Sequence, residues 1–234
     1  MSITFHGVPA VLLAGTGSDD DYVYRAFAGP LHAVGAVVST PAPQPARLVA
    51  SYLEALDDAA REGPIIVGGV SIGAAVTLAW ALAHPGHAVA VLAALPAWSG
   101  AAQSAPAALS ARHTAHQLRT DGLVATTEQM RASSPAWLAD ELARSWLGQW
   151  PDLPDAMEEA AGYVAPSVSE VGRLTVPMGV VGATDDPIHP LEVALEWVAA
   201  APRAALRTVS LNDFGPSPEV LGSAAVGALI DAAD

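Results

Sequence analysis

Ser71 stands at the centre of Gly69-Val70-Ser71-Ile72-Gly73, after the apolar run Pro64-Ile65-Ile66-Val67-Gly68 and before a long Ala/Leu/Val/Trp stretch from Ala74 to His84. The order is strand, tight turn, helix, with a serine at the bend. Such a nucleophile elbow forces the serine backbone into a strained turn and lifts its hydroxyl above the sheet. Glycines two residues before and after let strand and helix approach closely. The chemistry this suggests is nucleophilic attack, for which a serine hydroxyl needs a neighbouring base. Other reactive side chains are few. There is no cysteine, which excludes thiolate nucleophiles, thiolate metal sites and disulfides. His113 and His116 share one helical face, but no third ligand lies nearby in sequence, so no metal site is expected.

The elements that must hold Ser71 alternate along the chain. Ala10 to Ala14 is a short continuous apolar run, the pattern of a strand buried on both faces. It runs into Gly15-Thr16-Gly17, and Ser18 or Asp19 is placed to cap a helix over 22–30, with acids in its first turn. Ala33 to Ser39 reads as a strand, 46–62 as a helix, 64–70 as the strand before the serine, and Ala88 to Leu95 as a further strand. From 101 to 170 strand patterns vanish, and helices are expected at 106–119, 123–132, 135–149 and 153–163. Alternation then returns: strand Val176 to Gly182, helix Leu191 to Ala201, strand Ala205 to Leu211, helix Pro218 to Asp231. Strands alternating with crossover helices imply an α/β fold, a mostly parallel sheet with helices on both faces.

With the serine turn in that context, the chain resembles the α/β-hydrolase superfamily over nearly its whole length. The resemblance implies a core of 1–100 and 171–234, interrupted by a helical cap at 101–170. It assigns Leu13-Ala14-Gly15-Thr16-Gly17 to the early oxyanion loop, with Ala14 where that loop commonly carries histidine. The backbone N–H groups of Thr16 and Ile72 would then face a developing oxyanion. It also assigns Thr184-Asp185-Asp186-Pro187-Ile188-His189-Pro190 to the acid turn. The spacing to Pro190 selects Asp186, whereas counting on from Gly182 selects Asp185, so both are kept.

The resemblance fails at the base. The family places histidine on the loop after the last strand, following the acid in chain order. Here that loop reads Asn212-Asp213-Phe214-Gly215-Pro216-Ser217, with Pro216 at the histidine's place and no histidine from Leu191 to Asp234. Proline cannot accept a proton, so a substitute is needed. His189 is nearest the acid turn, although by itself it reads as a surface residue beside Pro190. His113 and His116 would hang from the cap, and Asp213 is too acidic to serve well. Trp98, at a strand end on the serine's side, is a candidate pocket wall, together with Trp137, Trp146 and Trp150 of the cap.

Composition sets the remaining bounds. A chain of 234 residues can bury one large core. Its 10 basic and 24 acidic residues give a net charge of −14, the wrong sign for nucleic acid or an anionic membrane surface. Hydrophobic residues reach 52%, yet no run is long enough to span a bilayer. Met1 to His6 lacks a basic region and an apolar core, so a cytoplasmic location is expected. The expected activity is hydrolysis of a small, largely apolar ester or acyl substrate, without metal or organic cofactor. The alternative is an impaired hydrolase fold that binds a small molecule or acts as a scaffold. The sequence leaves the oligomeric state open.

Overall fold

The structure is a computed structural model and describes residues 5–234. Six parallel strands form one sheet in the order β2-β1-β3-β4-β5-β6. They are β1 (Pro9–Leu13), β2 (Val37–Ser39), β3 (Ile65–Val70), β4 (Ala88–Ala94), β5 (Met178–Ala183) and β6 (Ala204–Val209). β3 and β5 are buried throughout, as their continuous apolar sequences require. Met1 to Thr4, most of the N-terminal segment read for a basic region and an apolar core, lie outside the described residues.

Helices α1 (Asp20–Ala33) and α10 (Glu219–Ala233) cover one face. The other carries α2 (Leu48–Ala60), α3 (Ile72–Ala83) and α8 (Leu191–Ala200). Large side chains fill both interfaces: Phe27, Leu31 and Leu229 on the first, Tyr52, Trp80 and Trp197 on the second, all 2% exposed or less. α1 starts where Asp19 accepts the Tyr22 N–H at 2.9 Å, one of the two expected caps. It continues through Gly29-Pro30 to Ala33, past the predicted stop, so the second strand begins later than its apolar pattern suggested.

Strand order reverses between β1 and β3, since β2 lies beyond β1 while β4 to β6 extend the other way. In open α/β sheets the crevice at the carboxyl ends of such strands is where ligands bind. Between β4 and β5 the chain leaves the sheet to form α4 (Pro106–Ser133), α5 (Ala136–Gln149), α6 (Leu153–Gly162) and the short α7 (Val168–Val171). α4 breaks at Gly122 (φ +81°), so the two helices expected there are present, joined without a loop. The ends of the excursion are tied together by an antiparallel bridge between Ala101 and Val164, beside an Ala165 N–H bond to the Gly100 carbonyl at 2.9 Å. A last short helix, α9 (Leu211–Phe214), follows β6. No helix of the described residues is long and apolar enough to cross a membrane.

Candidate active site

The serine turn has the strained geometry its sequence implies. Ser71 adopts φ +55° and ψ −115°, a region that side-chain-bearing residues rarely occupy. The flanking glycines are required by space. A Cβ on Gly69 would lie 2.6 Å from the Leu13 carbonyl oxygen, and one on Gly73 would lie 2.4 Å from the same atom. β1, β3 and α3 therefore meet backbone to backbone beneath the serine.

The loop after β1 comes next to it. A Cβ on Gly15 would touch that of Ser71 at 3.5 Å. Tyr52 fixes this loop from below, its buried hydroxyl donating to the Ala14 carbonyl at 3.1 Å. Burial holds that phenol well above its ordinary pKa, so it stays a donor. From above, Trp146 of α5 packs onto Gly17 (φ +73°), and Gln149 donates to the Ser18 carbonyl at 2.9 Å. Among the described residues, the N–H groups of Thr16 and Ile72 have no protein acceptor. Ile72 begins α3, where a helix leaves its first amides unpaired.

The acid turn supplies what the C-terminal loop lacks. His189 Nε2 lies 3.0 Å from Ser71 Oγ, and His189 Nδ1 lies 2.7 Å from Asp186 Oδ2. The other oxygen of Asp186 accepts the N–H groups of Ile188 at 2.8 Å and His189 at 3.3 Å. This Asx-type turn curls the chain so that the imidazole three residues on faces back to its own carboxylate. Burial of the Asp186 carboxyl works to raise its pKa. The hydrogen bond and charge of His189, with the two amides, outweigh it and hold the pKa below the ordinary value. An ionised Asp186 can accept a proton from Nδ1, and in that tautomer Nε2 can accept from the serine hydroxyl.

The reading of His189 as a surface residue beside Pro190 is therefore corrected. The imidazole bridges Ser71 and Asp186, with its side chain 17% exposed. The reason is strand order. β5 is two strands from β3, about 10 Å at the usual spacing, a gap that an inward-facing turn can close. Asp185 goes elsewhere: its Oδ1 accepts the Leu211 N–H at 2.8 Å and anchors α9. Asp213 is exposed and bonded within its own capping box to Ser210.

Ser71 lines a cavity of about 670 Å³ between the sheet's carboxyl edge and helices α4 to α6. It is more covered than a serine exposed on an open floor, at 8% accessible. Thr16, Asp186 and His189 border the same space, as do Trp98, Trp137 and Trp146, whereas Trp150 lies outside it and is 40% exposed. His113 reaches the wall with its side chain largely in solvent, and His116 is exposed away from it. α9 brings Phe214 into the wall, edge-on to Trp137 at 5.5 Å, where the family's pattern led us to expect a histidine loop. Sequence reasoning missed Phe214 and Tyr52, because an apolar or aromatic side chain in a short segment carries no signal of what it faces. No cluster of potential metal ligands occurs among the described residues.

At the level of sequence, the chain matches no family model and no curated protein. Solved structures do resemble it. MenH from S. aureus superposes with a TM-score of 0.74 at 14% identity, over 100% of this chain and 97% of that one. A thermophilic esterase from Thermogutta terrifontis, solved with malate bound, gives 0.72 at 16% identity over 98% and 92%. MGS-M2, an α/β-hydrolase enzyme from a Medee basin deep-sea metagenome library, gives 0.71 at 12% identity over 97% and 90%. At these identities the likeness carries architecture and nothing finer: the chain has the α/β-hydrolase fold.

Proposed function

We propose that the protein is a serine hydrolase in which Ser71, His189 and Asp186 form the catalytic triad and helices α4 to α6 act as the cap over a small acyl substrate. One observation carries the reading: the unbroken run of hydrogen bonds from Ser71 Oγ through His189 to Asp186, at 3.0 and 2.7 Å. In this reading His189 Nε2 accepts the Ser71 proton as Oγ attacks the ester carbonyl. The tetrahedral oxyanion is held by the N–H groups of Thr16 and Ile72. His189 then returns its proton to the departing alkoxide, leaving an acyl-serine. Water, deprotonated by the same imidazole, releases the acid and restores the serine. Asp186 stays ionised throughout and stabilises the imidazolium.

A missing base was the reason for considering a non-catalytic scaffold. With His189 in contact with the serine, that reason no longer applies. The test is active-site labelling with a fluorophosphonate. The expected result is covalent modification of Ser71, abolished in Ser71→Ala and slowed by orders of magnitude in His189→Ala. A well-folded protein that resists the probe refutes the assignment.

A further inference from the structure

The walls of the cavity restrict what its ligand is made of. Among the described residues, no lysine or arginine lines it. Apart from Asp186, its carboxylates are Asp19 and Glu141, and both are already engaged from behind the wall. Arg144 binds Asp19 at 2.9 Å and Glu141 at 2.7 Å, while Arg25 binds Glu141 at 2.7 Å. An anionic group entering would shed water without meeting a lysine or arginine, and a cationic one would have to displace an arginine from Asp19 or Glu141. Tyr22, also in the wall, is kept a neutral phenol by burial and by the nearby Glu141.

The two sides of the cavity also differ in kind. α5 and α6 present apolar groups such as Leu142, Trp146 and Met157, continuous with Trp98 from the sheet side. α4 instead contributes the part-buried Thr114 and Gln117, with the exposed Ser110 one turn before them at the rim, spaced along one helical face. The hydroxyls of Ser110 and Thr114 have no protein partner among the described residues. Gln117 donates to Gln129 at 2.5 Å, which leaves its own side-chain oxygen open. A row of uncharged donors and acceptors opposite an apolar wall fits a ligand with several hydroxyls and no charge.

We infer that the substrate is a monoester joining an apolar acyl chain to a small uncharged polyol of the glycerol type. The acyl chain lies against α5, α6 and Trp98, and the polyol hydroxyls meet the α4 row. Ser71 Oγ bonds to the acyl carbon, the ester C–O bond breaks, and the polyol leaves with the proton from His189. Water then releases the carboxylic acid. This inference rests on the serine-hydrolase reading.

The test compares octanoyl esters of glycerol, ethanol, choline and glycerol phosphate on the full-length protein. The glycerol ester is expected to exceed the choline and glycerol phosphate esters by roughly 100-fold or more in kcat/KM, since neither charge finds a partner. It is expected to exceed the ethyl ester by about tenfold, and the double variant Thr114→Val with Gln117→Leu removes most of that preference. A charged ester turned over within tenfold of the glycerol ester, or a glycerol-to-ethyl ratio unmoved by the double variant, overturns the inference. Fluorophosphonate labelling separates the two levels. Labelling of Ser71 without cleavage of the glycerol ester defeats only the substrate assignment, whereas no labelling defeats the nucleophile and this inference with it.

Discussion

Replacing His189 with alanine is the most demanding perturbation of the proposed triad. The imidazole makes one bond to Ser71 at 3.0 Å and one to Asp186 at 2.7 Å, both within ordinary hydrogen-bond range. Its loss leaves the serine without a proton acceptor and Asp186 Oδ2 without its imidazole partner, while the turn amides stay on the other oxygen. Losing the histidine of a serine triad costs about 10⁶ in kcat, or about 8 kcal/mol, whereas losing its acid costs about 10⁴ to 10⁵. Residual activity from the oxyanion amides remains, roughly 10³–10⁴ over water. The assay is steady-state hydrolysis of a neutral chromogenic ester, with thermal unfolding as a check on folding. His189 is a partly exposed turn residue, so stability is expected to change little. His116→Ala, on the outer face of α4, is expected to keep wild-type rates. If His189→Ala retains more than about 1% of wild-type kcat, far above that residual, the imidazole is not the base and the triad assignment falls.

The neighbouring aspartates are separable. Asp186→Ala is expected to lower kcat by about 10⁴, while Asp185→Ala, which frees only the Leu211 N–H, costs about 1 kcal/mol of stability and leaves kcat within about twofold. Equal losses in both variants would show that the turn works as a unit. The Asp186 carboxyl also makes a pH-dependent contribution to stability. Its folded pKa is lowered: burial opposes this, and the contacts with His189 and the turn amides outweigh it. The contribution is therefore complete above the ordinary aspartate value near pH 4 and is lost as pH falls through the lower folded value. The stability gap between wild type and Asp186→Asn should thus be present at neutral pH and close under acid, as read by melting temperature across that range. A gap that widens under acid contradicts the sign. Gly73→Ala would place a methyl 2.4 Å from the Leu13 carbonyl oxygen. A loss of about 3 kcal/mol or more is expected in denaturant titration, and an undisturbed midpoint would mean that β1 and α3 are less tightly opposed than described.

Much of this was legible from local pattern. The apolar runs ending at Leu13, Val70, Ala94 and Ala183 are buried strands, because a strand covered on both faces has no place for polar side chains. The serine turn was legible because strand, glycine, serine, glycine and helix are consecutive. Asp186 was preferred over Asp185 by its distance from Pro190, and it is Asp186 that meets His189. Gly29-Pro30 has the composition of a helix terminator, yet burial of Pro30 and Leu31 carries the helix of residues 20–33 past it.

The role of His189 was not legible in this way, although half of it is local. An aspartate that binds the amides two and three residues on brings a histidine at the third position back to its own carboxylate. The other half depends on which strands lie side by side. Residues 71 and 189 are separated by 118 positions, and their contact follows from β4 alone standing between β3 and β5. Local sequence sufficed for the alternation of strand and helix, the bend at Ser71 and the carboxylates of the acid turn, since each depends on neighbours a few residues away. Long-range packing sets which imidazole meets the serine, brings Phe214 rather than a histidine from the last loop, and pairs the cavity's Asp19 and Glu141 with arginines outside the lining. Those contacts join distant segments, and distance in space is set by how the sheet orders its strands.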